Sequence, residues 1–463
     1  MKTIIKSGKG KGLLLIISLF STVLFGQVDS AKVPARISDS IKVELTCVLI
    51  PQVSYFPPID TTSTSINISF EYRPRTELRN GFRQLRSDTT TAAIFTSHRA
   101  RLNFDIQKKR FAAALSIQDI RTFGAADPKS NAGTIQVFEA WAEPFFTEHL
   151  SLRIGKQRFM LDNNRLFAQN DWRNNGGTHD AAKLIYKKNK VESQLLFAWN
   201  QSTEGNYFSN FSPVGFNNYK SLLVGYLQLK SKNEKLIFST TNYYEGFQYG
   251  KNGAHQNFRY TNGGRLKFQD KKLEAVAMGF IQWGHNNVGK RLSAFYYQAE
   301  GSYVIKYFKL LLGAEFKSGN RANTNDYDRA FQYPYGVAHS FNGAMEYFAN
   351  GFAGSANDFG LINPYLELSK VIKSKLKIAL RNHLFYSQHL AYNKTYAPSK
   401  YLGVESDFNL TYYPNGYTKI DLGVSALKAS KSMEFINAGS ANYLSYWTYL
   451  QATFTPQIFS NKK

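Results

Sequence analysis

The sequence predicts an all-β fold, a transmembrane antiparallel β-barrel of about eighteen strands of the outer-membrane type. Three observations predict it. The N-terminus carries an export signal, segments of about ten residues alternate apolar with polar side chains, and the connections between them are short and long by turns.

The export signal comes first along the chain. Lys2, Lys6, Lys9 and Lys11 precede an uncharged stretch from Leu13 to Phe25, which ends in Gly26-Gln27. That layout predicts a signal peptide over residues 1–26, cleaved near Gly26. The apolar run is too short for a spanning helix, which needs about 20 residues. Gly8-Lys9-Gly10-Lys11-Gly12 lacks the preceding strand and the GK[ST] ending of a phosphate loop. Residues 27–65 contain Pro34, Pro51, Pro57 and Pro58 and hold no sustained period, so they read as an irregular periplasmic segment. The single cysteine, Cys47, excludes an intramolecular disulfide and lies too far past residue 26 to accept a lipid anchor.

The barrel is expected over residues 66–463. No later apolar run approaches the 18 residues of a membrane helix. Aromatics make up 15 % of a chain whose mean hydropathy is still −0.36, which fits strands that are apolar on one face only. In the first strand Ile66, Ile68, Phe70 and Tyr72 share one face, opposite Asn67, Ser69, Glu71, Arg73, Arg75 and Glu77. In the second, Ala100, Leu102, Phe104 and Ile106 oppose Arg99, Arg101, Asn103 and Asp105. In a soluble sandwich the apolar face would pack on another sheet; in a membrane barrel it faces lipid and the charged face lines water.

The connections decide between those two. Short polar turns recur at 107–110, 145–149, 187–190, 231–235, 269–272, 305–308, 372–375 and 413–416. Between them lie longer segments at 79–91, 122–133, 158–177, 201–218, 247–255, 284–291, 320–360, 390–400 and 429–442. Eight turns and nine loops join eighteen strands, an even number that leaves both ends on the periplasmic side. Phe341 to Phe348 could form a strand by composition, but only its placement inside the 320–360 loop keeps the alternation.

Chemistry-bearing motifs are absent. There is no G-x-S-x-G elbow, no H-E-x-x-H and no metal-ligand spacing among the eight histidines. Asp326 and Asp328 lack the glycine and distal glutamate of a calcium loop. The reading is therefore no enzyme, no metal and no cofactor. An outer-membrane enzyme would call for an acid–base cluster at the loop rim. An adhesion barrel would place its function in loops 158–177, 201–218 and 320–360 and leave the lumen plugged.

What remains is charge. The chain holds 57 Lys and Arg against 33 Asp and Glu, and export without any nucleic-acid motif argues against DNA or RNA as the partner. Arg73, Arg75, Arg99 and Arg101 fall on the inner faces of the first two strands, Arg153 and Arg381 on inner faces of others, and Arg121 near the extracellular end of the third. Glu71, Glu77, Asp105, Glu139, Glu405 and Asp407 share that surface. Such mixed charges either brace the wall in pairs or leave a surplus of guanidinium groups as a track for carboxylates. A guanidinium suits the second role because its planar fork grips a carboxylate in two places and never loses its charge.

Several stretches together resemble the alginate-export family of outer-membrane porins. They are FEYRPRTELRNGF at 70–82, SHRARLNF at 97–104, QDIR at 118–121, LRIGKQRF from Leu152, Asp162-Asn-Asn-Arg165, Asp171-Trp172 and His179-Asp180-Ala-Ala. The loop PYGVAHSFNGAMEYF at 334–348, HLFYSQ at 383–388 and LGVESDFNLTYYP at 402–414 continue the likeness over most of residues 66–455. The resemblance implies an eighteen-stranded barrel with an electropositive constriction that passes an anionic polysaccharide. Carried over by position, Arg73, Arg75, Arg99, Arg101, Arg121 and Arg165 with Asp162 become pore residues. Lys156 replaces the arginine of the usual Gly-Arg-Gln and keeps the charge without the bidentate grip. The expectation is a monomeric passive conduit in the outer membrane of a Gram-negative bacterium, in contact with lipid. It would pass an anionic sugar polymer or oligosaccharide, or alternatively small organic acids, with room for periplasmic secretion partners and with loop 320–360 folding inward as a gate.

Overall fold

The alternation of side chains resolves into one closed antiparallel sheet. The computed structural model describes residues 64–125, 134–213, 218–250, 253–321, 326–348, 358–390 and 399–461, all within the unit Ile50–Lys463. The predicted signal peptide and nearly all of the segment at 27–65, with Cys47, lie outside the described residues.

The strands are β1(Ser65–Asn80), β2(Ala93–Lys108), β3(Phe111–Thr122), β4(Ile135–Pro144), β5(Leu150–Gln157) and β6(His179–Lys188). There follow β7(Val191–Trp199), β8(Ser221–Lys230), β9(Leu236–Tyr249), β10(His255–Gln269), β11(Leu273–His285) and β12(Arg291–Ile305). The wall continues through β13(Phe308–Lys317), β14(Leu361–Ile372), β15(Leu376–Ser387), β16(Tyr401–Asn415), β17(Thr418–Ala429) and β18(Ser445–Phe454). Each pairs antiparallel with its neighbours in sequence, and β18 returns to β1, with Thr76 opposite Leu450 and Asn80 opposite Tyr446. Closure removes both sheet edges, so backbone N–H and C=O groups find partners without exposing a strand edge to lipid.

A short segment, β19(Gln457–Ser460), continues the last stave along β1, with Asn67 opposite Ser460. The interruption falls at Pro456, which has no N–H to donate to the ladder. The wall thus has eighteen staves. Every one of the eight expected turns and nine expected loops falls between the strands assigned to it, and Phe341 to Phe348 is irregular chain inside its loop.

Outward positions carry the apolar set. Phe70 pairs with Leu102, Ile68 with Phe104, and Leu115 and Leu422 point the same way on their own strands. Exposed aromatics gather at both rims, with Trp199, Tyr249 and Trp283 near the loops and Tyr186, Tyr303 and Tyr412 near the turns, as expected of the two interfacial girdles.

Inside, the barrel is not an open tube. A wall of eighteen strands leaves a water-filled channel unless something fills it, and here two loops do. Phe159, Leu161, Leu166 and Phe167 from loop 158–178, with Phe331, Tyr333 and Tyr335 from loop 318–360, form one apolar core. That core packs on Leu196, Leu222, Val224, Tyr243, Phe280 and Tyr296, which face inward on β7 to β12. Each such side chain contributes on the order of 1.5–3 kcal/mol when removed from water. A second core gathers Leu85, Met345, Tyr347 and Phe348 with Phe385, Leu402, Leu427 and Trp447, and it includes Met433 and Ile436 of the short helix α1(Lys431–Ile436). Irregular chain at membrane depth is tolerated because it is buried in protein.

Candidate functional site

The arginine pairs meet as the alternation requires. Arg73 lies directly opposite Arg99, and Glu71 opposite Arg101, on the inner faces of β1 and β2. Two guanidinium groups facing each other across a ladder repel. Asp171, from loop 158–178, sits between them. Its carboxylate accepts from Arg99 Nη1 at 2.8 Å and lies 3.5 Å from Arg73 Nη1, with Arg101 Nη1 at 3.8 Å. Burial by itself would raise the Asp171 carboxyl, but Arg99 and Arg73 overcome it and hold the group well below the usual carboxylate range.

The same arginines bind the loop backbone. Arg73 donates to the carbonyls of Asp171 at 2.7 Å and Arg173 at 3.2 Å, and Arg75 to that of Trp172 at 2.9 Å. Arg99 also donates to Glu71 through Nε at 2.9 Å, and Arg101 to Gln118 at 2.6 Å while lying over the Phe138 ring. Arg73, Arg99 and Arg101 are therefore latches for an inward loop, each buried in protein.

Other expected residues fall into three groups. On the inner wall, Arg153 pairs with Glu143, and Arg381 with Glu367 at 2.9 Å and with the Ser340 carbonyl at 2.7 Å. Arg158 holds Glu139, and Asp105 faces inward beside Asn67 on β1. Asp162 accepts from Tyr226 and Ser239 at 3.0 and 2.8 Å, inside β8 and β9. Among the described residues Glu405 and Asp407 form no ion pair with an arginine, although Arg381 stands opposite Asp407; they accept the N–H groups of Met345 at 2.8 Å and Ala344 at 3.3 Å, and so hold the tip of loop 318–360. Glu77 joins Arg75 to Arg79 and takes the Trp447 indole N–H.

Arg165 is the second group. It belongs to the loop rather than the wall, and it ties the two loops to each other and to β13. Its guanidinium donates to the Val337 carbonyl at 2.9 Å, to Glu315 at 3.0 Å and to Asn342 at 2.8 Å. Burial works against its charge, and Glu315 restores it so that its pKa stands above the ordinary arginine value.

The third group corrects the expectation. Arg121 and Lys156 do not face the lumen. Arg121 shares its face with Leu115 and Ile117, opposite His98, and it pairs with Asp119 at 3.2 Å on the outside of β3. Lys156 lies between Ala140 and Asp180, in line with the outward Ile154. The extracellular rim is where an outer face can carry charge, because it meets lipid headgroups and water there. A glycine at 155 is demanded beside it, since φ is +125° and a Cβ would collide with the Ala140 carbonyl.

Sequence reasoning missed most of what builds the site. Arg79 continues the inward parity of Glu71, Arg73, Arg75 and Glu77 and could have been found by it. Arg83, Arg173, Trp172, His339 and Glu346 sit on loops, where no period exists to find them. Arg259 and Glu245, paired at 2.6–2.7 Å inside β10 and β9, were legible from alternation but carried no distinguishing motif.

Two cavities lie in the lumen beside these loops. One, of about 250 Å³, is lined by Arg75, Arg79, Arg83, Arg173, Trp172 and Glu346 toward the loop end of the barrel. The other, of about 270 Å³, is lined by His339, Glu367, Lys377, Arg381, His383 and Asp407 toward the turn end. Between them stands a thin septum. Trp172 stacks on His339 with ring centroids 4.2 Å apart and planes 8° from parallel, and Arg75 lies 4.3 Å from the centre of the same indole. Glu346 pairs with Arg83 and lies 3.4 Å from His339 Nδ1. Burial would raise Glu346, but His339 and Arg83 bring its carboxyl down to about 2. The contacts of Trp172 and Glu346 with His339 each join a residue of one cavity to a residue of the other.

Residues 64–200 match the protein family described as alginate export. No curated protein sequence matches the chain. Among solved structures, OccAB1 of Acinetobacter baumannii is similar with a TM-score of 0.59 at 12 % identity, over 86 % of this chain and 98 % of that one. OccK2 (OpdF) of Pseudomonas aeruginosa, in complex with glucuronate, gives a TM-score of 0.58 at 10 % identity, over 85 % and 97 %. OpdK of the same organism, with vanillate, gives 0.53 at 11 % identity, over 84 % and 98 %. At these identities the likeness is one of fold, that of an outer-membrane porin barrel.

Proposed function

We propose, for a chain whose residues 64–200 match the alginate-export family and whose eighteen-stranded barrel fits that family of outer-membrane porins, that it passes carboxylated sugars by passive diffusion. The observation that carries this reading is the cavity at the loop end, lined by Arg75, Arg79, Arg83, Arg173 and Glu346, where four guanidinium groups meet two carboxylates, Glu346 and the Glu77 that Arg75 and Arg79 share. A surplus of fixed positive charge in a confined, low-dielectric space raises the local concentration of anions. The planar fork of arginine then selects carboxylates among them. Cavities of about 250 and 270 Å³ suit one or two sugar-acid units at a time. A longer anionic chain would thread only when Trp172 leaves His339.

Cavity size also favours a second reading, the uptake of small organic acids, and OpdK with vanillate and OccK2 with glucuronate are fold neighbours that fit it. Planar-bilayer recordings separate the readings. Reversal potentials under potassium chloride and then potassium glucuronate gradients should show an anion-selective pore that conducts glucuronate. Short uronate oligomers should block it transiently if sugars are the substrate, whereas equal permeation by glucuronate and vanillate, without oligomer block, favours the small-acid reading. A cation-selective pore would sink both.

A further inference from the structure

The lipid-facing wall carries polar groups where lipid offers them nothing. On the outside of β9 and β10, Asn242 lies directly opposite Asn262, and Thr240 opposite Gly264. Trp283 Nε1 donates to Asn262 Oδ1 at 2.9 Å, Asn262 Nδ2 to Asn242 Oδ1 at 3.0 Å, and Asn242 Nδ2 to Thr240 Oγ1 at 3.1 Å. Thr240 ends the chain on the Gly263 carbonyl at 2.9 Å. Both asparagines stand at the middle of their strands, β9(Leu236–Tyr249) and β10(His255–Gln269). Phe238 and Leu266 lie toward the turns and Tyr244 and Tyr260 toward the loops, so the patch lies inside the apolar band, one outward position from its loop-side aromatics.

The chain of hydrogen bonds does not satisfy its own members. Each asparagine amide has two N–H donors and spends one, and each Oδ1 keeps a lone pair. Acyl chains can neither donate nor accept, and a polar group left bare in hydrocarbon is costly. The surrounding wall is also cut low. Gly225 flanks Asn242 on β8 and leaves open space there, whereas Gly264 and Gly279 beside Asn262 lie against the Phe238 and Tyr297 rings, with Leu195 and Ile281 exposed around the patch. At Gly225 a Cβ would meet nothing nearer than 3.7 Å, so this chain's own packing does not require the glycine, which weakens a strand. Another outward amide, Asn382, stands singly beside Ser406 and Ala426 with no glycine in the row.

We propose that the outward Thr240–Asn242–Asn262 patch on β8 to β11 is a lateral interface for a second copy of this chain. The occupant follows from depth and chemistry. A partner must present donors and acceptors at this depth inside the apolar band, and a second copy inserted the same way carries identical amides at the same depth. An amide is its own complement, so a twofold axis along the membrane normal lets each asparagine use the other's spare donor and acceptor. The open space at Gly225 lets the two walls approach beside Asn242 for that exchange. The proposal differs from the monomer expected from sequence and does not depend on what the pore carries.

Cross-linking of the full-length protein in outer membranes tests it. In a Cys47→Ser background, Thr240→Cys should give disulfide-linked dimers at least tenfold more abundant than Leu102→Cys, which faces lipid on β2. Adding Asn242→Leu and Asn262→Leu should cut the Thr240→Cys product tenfold while the barrel keeps its heat-modifiable mobility on gels. Should the double variant misfold, Asn242→Leu alone and native mass spectrometry of the parent in mild detergent serve instead, with a dimer expected that the single change weakens. Equal cross-linking at Thr240→Cys and Leu102→Cys, undiminished cross-linking in a folded leucine variant, or a parent that is monomeric by mass each overturns the proposal.

Discussion

Asp171 is the residue on which the lumen's electrostatics turn. It separates Arg73 from Arg99 and ties loop 158–178 to the wall. Asp171→Asn should strand those buried guanidinium groups, and losing one partner of such a pair costs on the order of 3–5 kcal/mol. The loop should then become protease-sensitive and single-channel current noisy; unchanged proteolysis would mean the backbone carbonyls alone hold the loop. Selectivity should sit elsewhere, on the cavity arginines. Arg79→Glu with Arg173→Glu should move the reversal potential toward cations at 0.1 M salt, fading at 1 M as the Debye length falls from about 10 to 3 Å. Arg73→Gln should leave selectivity nearly unchanged, and the reverse ranking would return the substrate track to the latches. Glu346 sets the pH response. Its carboxyl is held at about 2, below an unfolded value of about 4.3, so its contribution to closure is complete above the latter. Conductance should therefore stay flat from about pH 8 to 5 and rise between about pH 4 and 2; a rise near pH 6.5 would point to histidine instead.

At the scale of strands, side-chain parity fixes which residues meet lipid. Leu102 lies outside and Asn103 inside, where Asn103 donates to Ser69 Oγ at 3.2 Å and accepts from Ser116 Oγ at 2.8 Å. Leu102→Arg should destabilise the barrel by about 2–4 kcal/mol if it lies near the midplane, and Asn103→Arg much less. Urea unfolding in liposomes ranks them; the opposite order would put the register off by one residue. Strands β7 to β12 break the simple pattern, since β8 reads SLLVGYLQLK with apolar residues on both faces. That is the mark of a wall covered from within, and it was legible before any coordinates, although it does not say which loop covers it.

The whole molecule is a closed wall with its fillers attached at one end. Long loops at one rim and short turns at the other predict that cysteines at Asp88 and Asn210 react with an impermeant reagent on intact cells. Cysteines at Asn189 and Asn233, in the turns, should react only after the membrane is opened; labelling of either from outside would invert the topology. Trp172→Ala removes the ring that stands between the two cavities. Single-channel conductance should rise severalfold, and an unchanged value would place the limiting constriction away from the septum.

The sequence by itself determined the barrel, its strand number and the gathering of its long connections at one rim. Those follow from local rules: a period of two, the length needed to cross an apolar band, and turns that differ from loops in length. It also placed Arg73, Arg75, Arg99 and Arg101 on the inner face, because parity is a property of each strand alone. The family pattern outweighed parity at Arg121, on the outward face with Leu115, and at Lys156, in line with Ile154. Only the tertiary structure decided that the first four arginines brace a loop, that Arg165 joins two loops, and that Arg79, Arg83 and Arg173 come together with Arg75 around one cavity. The reason is separation along the chain. Asp171 reaches Arg73 across 98 residues and Arg165 reaches Asn342 across 177, and no local period encodes where an irregular loop comes to rest inside a barrel.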